Sequence, residues 1–305
     1  MQIPDYFCVK AARTFGEAGV EWLQSLPATL SRCQNDWHLT DVAPVDDLSI
    51  NLVCTASSAV HGDVILKIAG PHDERITEMT ALRLYGGRHA CQCYECDQQT
   101  GAMLLERILP GHTLRALPDK RDQLEVGADL LATLPIPIHE DHGLPLYGDW
   151  ISRAIAITKT RYAPGPRLIR LMSAAESLYR QVCPNDAPRA LLHGDLHHEN
   201  MLQCADGQWK AIDPQGVIGA PFFDSARFIE NHAIGRDEVL SVDTLDESVT
   251  LIRERLGVGR HLIGAATFVL HLLSTCWGLQ MSYGHQRILK QISECEQMLE
   301  YTTSS

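Results

Sequence analysis

Apolar and polar positions change period twice along this chain. Phe15, Ala18, Trp22 and Leu23 recur at helical spacing over residues 14–25, and Pro27 is expected to restart a second helix that ends near Cys33. From His38 the texture turns to short apolar or alternating runs at residues 37–43, 51–56 and 64–69, with His61-Gly62-Asp63 as a turn, which predicts three strands in succession. After Gly70-Pro71 the helical period returns from about Asp73 to Tyr85, and two further strands follow at 90–97 and 102–109. A small lobe over 1–108 and a larger lobe over 109–305 is the division this implies. In the second part the period is mostly helical: 122–133, 149–158, 168–182 stopped by Pro184, an acidic helix-loop-helix over 237–256 beginning Asp237-Glu238, and a terminal helix over 288–301 with 302–305 expected to fray. The longest uncharged run, 262–281, has the length of a membrane span, but it holds His271, Ser274, Thr275 and Gln280 and reads better as a buried helix.

One stretch interrupts this regularity. Leu191-Leu192-His193-Gly194-Asp195-Leu196-His197-His198-Glu199-Asn200-Met201-Leu202 sets polar side chains between apolar runs, and Ile212-Asp213-Pro214 lies just downstream. Asp206-Gly207 between them is a hairpin signal, with both turn positions expected at positive φ, and the hairpin would return Asp213 towards Asn200. Pro214 is expected to keep Asp213 extended. Phosphoryl transfer requires an Asp to orient the acceptor hydroxyl, an Asn five residues on for Mg²⁺, and a second Asp for the metals that bridge the phosphates. Asp195, Asn200 and Asp213 match that order, with Asp195 the catalytic candidate and the other two the metal candidates.

Other readings of these residues are weaker. His193 and His197 are four apart, as in a helical zinc pair, but Gly194 and the flanking strands place them in a loop. Cys91, Cys93 and Cys96 are the one cysteine cluster; in a strand Cys96 faces away from the other two, and no fourth ligand follows.

Lys67 sits inside the apolar run Val64-Ile65-Leu66-Lys67-Ile68-Ala69, where an ammonium is costly without partners. In a kinase those partners are nucleotide phosphates and a helix glutamate, and Glu74 and Glu78 lie on one face of the next helix. Backbone groups from Glu106 to Ile108 are the expected hinge for an adenine or guanine edge, so ATP and GTP both remain open as donors. The loop 46–50 lies where a phosphate-covering loop belongs, yet it contains no glycine.

Composition narrows the setting. With 305 residues, 45% of them hydrophobic, the chain can bury two cores, and its net charge of −12 argues against a nucleic-acid surface while suiting a cationic partner. Its opening Met-Gln-Ile-Pro-Asp has neither a basic nor an apolar leader region, so the ten cysteines suggest reduced thiols and a cytoplasmic protein rather than a disulfide framework.

The segment from His193 to Asn200, followed by Ala211-Ile212-Asp213-Pro214-Gln215-Gly216-Val217-Ile218-Gly219, resembles the aminoglycoside phosphotransferase superfamily, and most of all its streptomycin 6-phosphotransferase and hydroxyurea phosphotransferase branch. The likeness extends from Gly16-Glu17-Ala18-Gly19 and Glu21-Trp22-Leu23 through Leu104-Leu105-Glu106-Arg107 to Trp277. It implies an α+β protein-kinase-like bilobal fold, with a small mainly antiparallel sheet and a larger helical lobe. The family pattern Glu-x-x-Ala-Leu selects Glu78 as the partner of Lys67 with Glu74 in reserve, and a serine in the family's phosphate loop makes Ser49 a phosphate-contact candidate. Gly194 stands where many protein kinases have arginine, and Asp213 and Asp224 are only eleven positions apart, too close for a regulatory activation loop.

The implied activity is transfer of the γ-phosphoryl of ATP or GTP, with Mg²⁺, to an aminoglycoside hydroxyl, foremost at position 6 of streptomycin, conferring antibiotic resistance. Hydroxyurea, a sugar, homoserine or choline are alternative acceptors, and a non-catalytic nucleotide-binding protein is a third reading. For a guanidinium-bearing acceptor the candidate carboxylates are Glu199, Asp224 and Glu230, although Asp224 also reads as the cap of a helix over 225–232.

Overall fold

The computed structural model describes residues 3–72, 74–140, 142–184, 187–234 and 239–304. The chain forms two compact units, Met1–His112 with Gln203–Gln215 and Thr113–Leu202 with Gly216–Ser305. Asp73, Asp237, Glu238 and Ser305, each named in a sequence expectation, lie outside the described residues.

The first unit opens with α1 (Asp5–Phe15) and α2 (Glu17–Asp36). They part at Gly16, whose φ of 61° turns the chain, whereas Pro27, expected to be the break, lies inside α2. An internal proline forfeits one helical hydrogen bond and crowds the preceding turn. It is tolerated because α2 is anchored on both sides of it, by Trp22 and Leu26 before and Leu30 and Cys33 after.

The sheet beneath is antiparallel: β1 (Leu39–Pro44), β2 (Leu52–Ser58), β3 (Gly62–Ile68), β4 (Cys93–Asp97) and β5 (Ala102–Glu106), in the order β1-β2-β3-β5-β4. Strand side chains alternate between faces. Leu52, Cys54 and Ala56 of β2 therefore join their partners Ile68, Leu66 and Val64 of β3 on one face, where they pack with Phe7, Trp22 and Leu26. Phe7 and Trp22 meet edge to face at 5.8 Å. Lys67 has the opposite parity and points to the other face, towards α3 (Glu74–Tyr85).

The second unit is mainly helical. β6 (Pro110–Thr113) spans its boundary, and α4 (Lys120–Thr133) is capped by Asp119, whose carboxylate accepts the N–H groups of Arg121 and Asp122. β7 (Ile136–Pro137), α5 (Tyr147–Arg161), α6 (Pro166–Val182) and β8 (Ala190–Leu192) follow.

The hairpin of β9 (Met201–Cys204) and β10 (Trp209–Ala211) comes next, and Gln203–Gln215 groups with the first unit. There the Ala211 N–H donates to His89 O and the Cys91 N–H to Ala211 O, each at 2.8 Å. Only Gly207 of its turn has positive φ, 82°, so Asp206 keeps an ordinary backbone and its carboxylate accepts the Gln208 N–H. This is the three-residue loop with glycine in the left-handed position, in place of the expected two-residue turn.

The rest of the second unit comprises β11 (Val217–Gly219), α7 (Asp224–Ala233), α8 (Val242–Leu256), α9 (Arg260–Gln280) and α10 (His285–Thr303). β8 is the middle strand of β11-β8-β7. Ser241 caps α8, and 242–256 is a single helix, not a helix-loop-helix. The apolar α9 is the core helix of this unit, with 78% of its most hydrophobic window buried. Thr302, expected to fray, is buried against Gly264 and donates to Met298 O, which extends α10 to Thr303. Together the units are the small and large lobes of a protein-kinase-like α+β fold.

Gly127 of α4 packs closely on Phe228 of α7: a Cβ there would stand 2.1 Å from the ring. Gly127→Ala should gain about 1 kcal/mol of helix propensity and lose about 1–3 kcal/mol to overpacking. The clash is far inside van der Waals distance, so overpacking is expected to win and the urea midpoint to fall. An unchanged or raised midpoint would mean that Phe228 swings aside freely.

Candidate active site

The loop from β8 to β9 is fixed by backbone hydrogen bonds before any ligand is considered. Gly194, at φ 83°, lets the chain turn where a Cβ would meet Trp150 at 2.9 Å. The Asp224 carboxylate accepts the His193 N–H at 2.7 Å and the Gly194 N–H at 2.8 Å. The Asp195 N–H donates to His193 Nδ1 at 3.2 Å, and Asn200 Nδ2 donates to Asp195 O at 3.0 Å. Asn200 thereby has its amide nitrogen spent within the loop, and its oxygen is the end left for a cation.

The Asp195 carboxylate is held from two sides. Arg227 Nε lies 2.9 Å from Oδ1 and His197 Nε2 lies 3.6 Å from Oδ2. Burial pushes this carboxyl up, but the His197 hydrogen bond and the Arg227 charge reverse the shift and hold it below the usual range. His197 bridges onward to Glu199 at 3.0 Å, and Glu199 pairs with Arg115 at 3.5 Å. Burial would lower the His197 pKa, yet the carboxylates of Asp195 and Glu199 raise it.

In the first unit Lys67 Nζ lies 2.6 Å from Glu78 and 3.1 Å from Asp213, and the lysine is 3% exposed. Burial would depress the ammonium, but the carboxylates of Asp213 and Glu78 carry its pKa above the ordinary value. Asp213 is half exposed, at φ 56°, so the extended backbone expected ahead of Pro214 is replaced by the left-handed region. That conformation costs about 1–2 kcal/mol in an L-residue, and aspartate is among the side chains that bear it best. One Asp213 oxygen accepts from Lys67, and half of the side chain remains in solvent.

The other predicted residues fall in different surroundings. Ser49 is exposed in a loop pinned from below by Tyr6, whose hydroxyl donates to Asp46 O and accepts the Leu48 N–H. Glu106 was expected to offer its backbone to a base. Its N–H instead donates to Gln92 O, and its carboxylate accepts the Gln92 N–H and lies 2.7 Å from Lys210. Ile108, buried just beyond β5, has no backbone partner for its N–H among the described residues. Among the described residues no group of three or more His, Cys, Asp or Glu side chains is arranged to hold a metal.

Two of the three acceptor candidates are corrected by the geometry. Asp224 is 2% exposed and both its oxygens are occupied by the loop, so it neither faces an acceptor nor caps its own helix, in which it is the first residue. Glu230 is paired with Arg227 and lies 2.8 Å from His271 and 3.4 Å from Ser274. Glu199 keeps about a quarter of its side chain in solvent. Arg227 is the residue that sequence reasoning missed. Its only signal was a cation on the apolar face of a helix, with Asp224 three residues before and Glu230 three after.

Residues 36–281 match the family described as aminoglycoside/hydroxyurea antibiotic resistance kinase. A streptomycin 6-kinase of Streptomyces glaucescens is 27% identical over 290 residues, 92% of each chain. A hydroxyurea phosphotransferase of Kitasatospora aureofaciens is 30% identical over 262 residues, 84% of this chain and 76% of its own. A choline kinase from Streptococcus pneumoniae superposes with a TM-score of 0.67 over 91% of this chain and 99% of its own, at 15% identity, a likeness of fold.

Asp224→Ala would strand two buried N–H groups, each costing about 1–3 kcal/mol. The variant should unfold at lower urea concentration and lose turnover, with Asp224→Asn milder because an amide oxygen still accepts one bond. Equal tolerance of both substitutions in unfolding and turnover would contradict the anchoring role.

Proposed function

The chain belongs to the aminoglycoside/hydroxyurea antibiotic resistance kinase family and is a small-molecule kinase; from that premise we propose that it phosphorylates streptomycin at the 6-hydroxyl. The observation that supports this acceptor most is the similarity to a streptomycin 6-kinase along 92% of both chains. Hydroxyurea is the second reading, and one observation favours it: Asp224 and Glu230 are spent inside the lobe, and Glu199 is already engaged by His197 and Arg115, so all three candidate carboxylates are paired within the protein.

In this reading Asp195 receives the acceptor hydroxyl. Arg227 and His197 keep its carboxylate ionised but weakly basic, which suits a group that orients the hydroxyl and takes its proton late, as a loose phosphoryl-transfer transition state requires. Asn200 Oδ1 and the Asp213 carboxylate are hard oxygen donors of the kind Mg²⁺ selects, and each is a candidate ligand for it. The metal would neutralise phosphate charge. Lys67, fixed by Glu78, supplies a second positive charge for the phosphates, and Ile108 N–H is the hinge donor for the base of ATP or GTP. Ser49 stays a candidate phosphate contact.

Asp195→Ala should lower kcat by about 10²-fold or more while nucleotide affinity stays near wild type; full turnover would refute the assignment. Asn200→Ala and Asp213→Asn should need more Mg²⁺ for half-maximal rate, and an unchanged Mg²⁺ requirement would rule out ligation. A panel of streptomycin, hydroxyurea, choline, homoserine and sugars against ATP and GTP, read by nucleoside diphosphate release, tests the acceptor. Turnover of hydroxyurea without streptomycin would select the second reading.

A further inference from the structure

Behind Arg227 lies a second row of charge that the phosphotransfer chemistry does not use. His271 of α9 is buried between two carboxylates: Nδ1 is hydrogen-bonded to Glu230 of α7 at 2.8 Å, and Nε2 faces Glu294 of α10 at 3.4 Å, an ion-pair contact without hydrogen-bond alignment. A neutral imidazole has one N–H and would turn a lone pair towards one of those anions, whereas the imidazolium offers a donor to each. Glu230 is itself divided. Its Oε1 faces His271, and its Oε2 faces Arg227, whose Nε lies 2.9 Å from Asp195 Oδ1 in an ion pair without hydrogen-bond alignment.

We propose that His271, as an imidazolium, is a positioning residue for Asp195: by occupying one oxygen of Glu230 it leaves Arg227 shared between Glu230 and Asp195. Freed of His271, Glu230 could take the guanidinium through both oxygens, the bidentate geometry that arginine and carboxylate prefer, and draw it off Asp195. The proposal rests on Asp195 acting on the acceptor hydroxyl. Burial would lower the pKa of His271, but Glu230 and Glu294 raise it to about 9. Other charged or titratable groups around this row are Arg227 on α7, and Lys290, 3.9 Å from Glu294, with the Cys295 thiol on α10. The folded ring titrates above the ordinary imidazole value of 6.5, so its contribution to stability is complete below pH 6.5 and is lost as pH rises through about 9.

The test is a double-mutant cycle with Glu230→Gln. His271→Gln keeps a donor but removes the charge, and it should lower kcat about tenfold with nucleotide KM within about twofold. Adding Glu230→Gln should restore most of that loss, because the competing carboxylate is gone. Losses that multiply, or a His271→Gln enzyme with full turnover beside an inactive Asp195→Asn, would overturn the positioning role alone. Full turnover in Asp195→Asn would remove the reading of Asp195 and the proposal with it. Nitrogen-15 NMR of the wild type does not depend on the variants folding. It should show His271 doubly protonated near neutral pH, and a neutral ring there would overturn the proposal.

Discussion

The larger lobe depends on a single guanidinium divided between two carboxylates. Arg227 contacts Asp195 in the loop and Glu230 on its own helix, and it is largely withdrawn from water. A charge in that position is tolerable only while its partners stay in contact, since removing one partner of a buried pair costs far more than the pair contributes. The need for partners propagates. Glu230 has a spare oxygen, which His271 takes, and the second nitrogen of His271 needs an anion, which Glu294 supplies from α10. Helices α7, α9 and α10 are thus tied to the loop by charge as well as by apolar packing.

The smaller lobe meets the same constraint with a lysine in place of the arginine. Lys67 enters the sheet flanked on β3 by the apolar Leu66 and Ile68, and Glu78 and Asp213 are its carboxylate partners there. Asp213 holds a left-handed backbone while it does so, a strain of the kind that persists where surrounding contacts over-determine a residue. The hairpin that delivers Asp213 is fastened to its own unit by the Ala211 clasp on His89 and Cys91 and by the Lys210–Glu106 pair.

What could be read in advance follows from the range of each interaction. Strand and helix periods are local, so β2, β3, α6 and α9 were legible nearly to their ends, and the loop residues Asp195 and Asn200 were legible from spacing. Pro27 misled because its cost is local and the packing that offsets it is not; Gly16 marked the true break. Asp224 and Glu230 misled for a related reason. An acid in an amphipathic helix looks solvent-bound in sequence, and only the folded lobe shows Asp224 reaching back 31 residues to His193 and 30 to Gly194. Arg227 gave only a local signal, its i+3 pair with Glu230, because its other partner, Asp195, lies on a loop distant in sequence. The grouping of 203–215 with the first unit has no expression in a linear division of the chain.

The short distance between Asp213 and Asp224 has a physical consequence for control. In a kinase gated by phosphorylation, the segment after the metal-binding Asp is long enough to be disordered until a new charge orders it. Here Gly216 is already bonded to His193 O, Val217–Gly219 is paired residue by residue with Ala190–Leu192, and Asp224 closes the segment on the N–H groups of His193 and Gly194. Every part of it that could act as a switch is therefore already a support of the loop that carries Asp195. Melting it would unmake the loop itself, because the same hydrogen bonds that order the segment hold the backbone of His193 and Gly194.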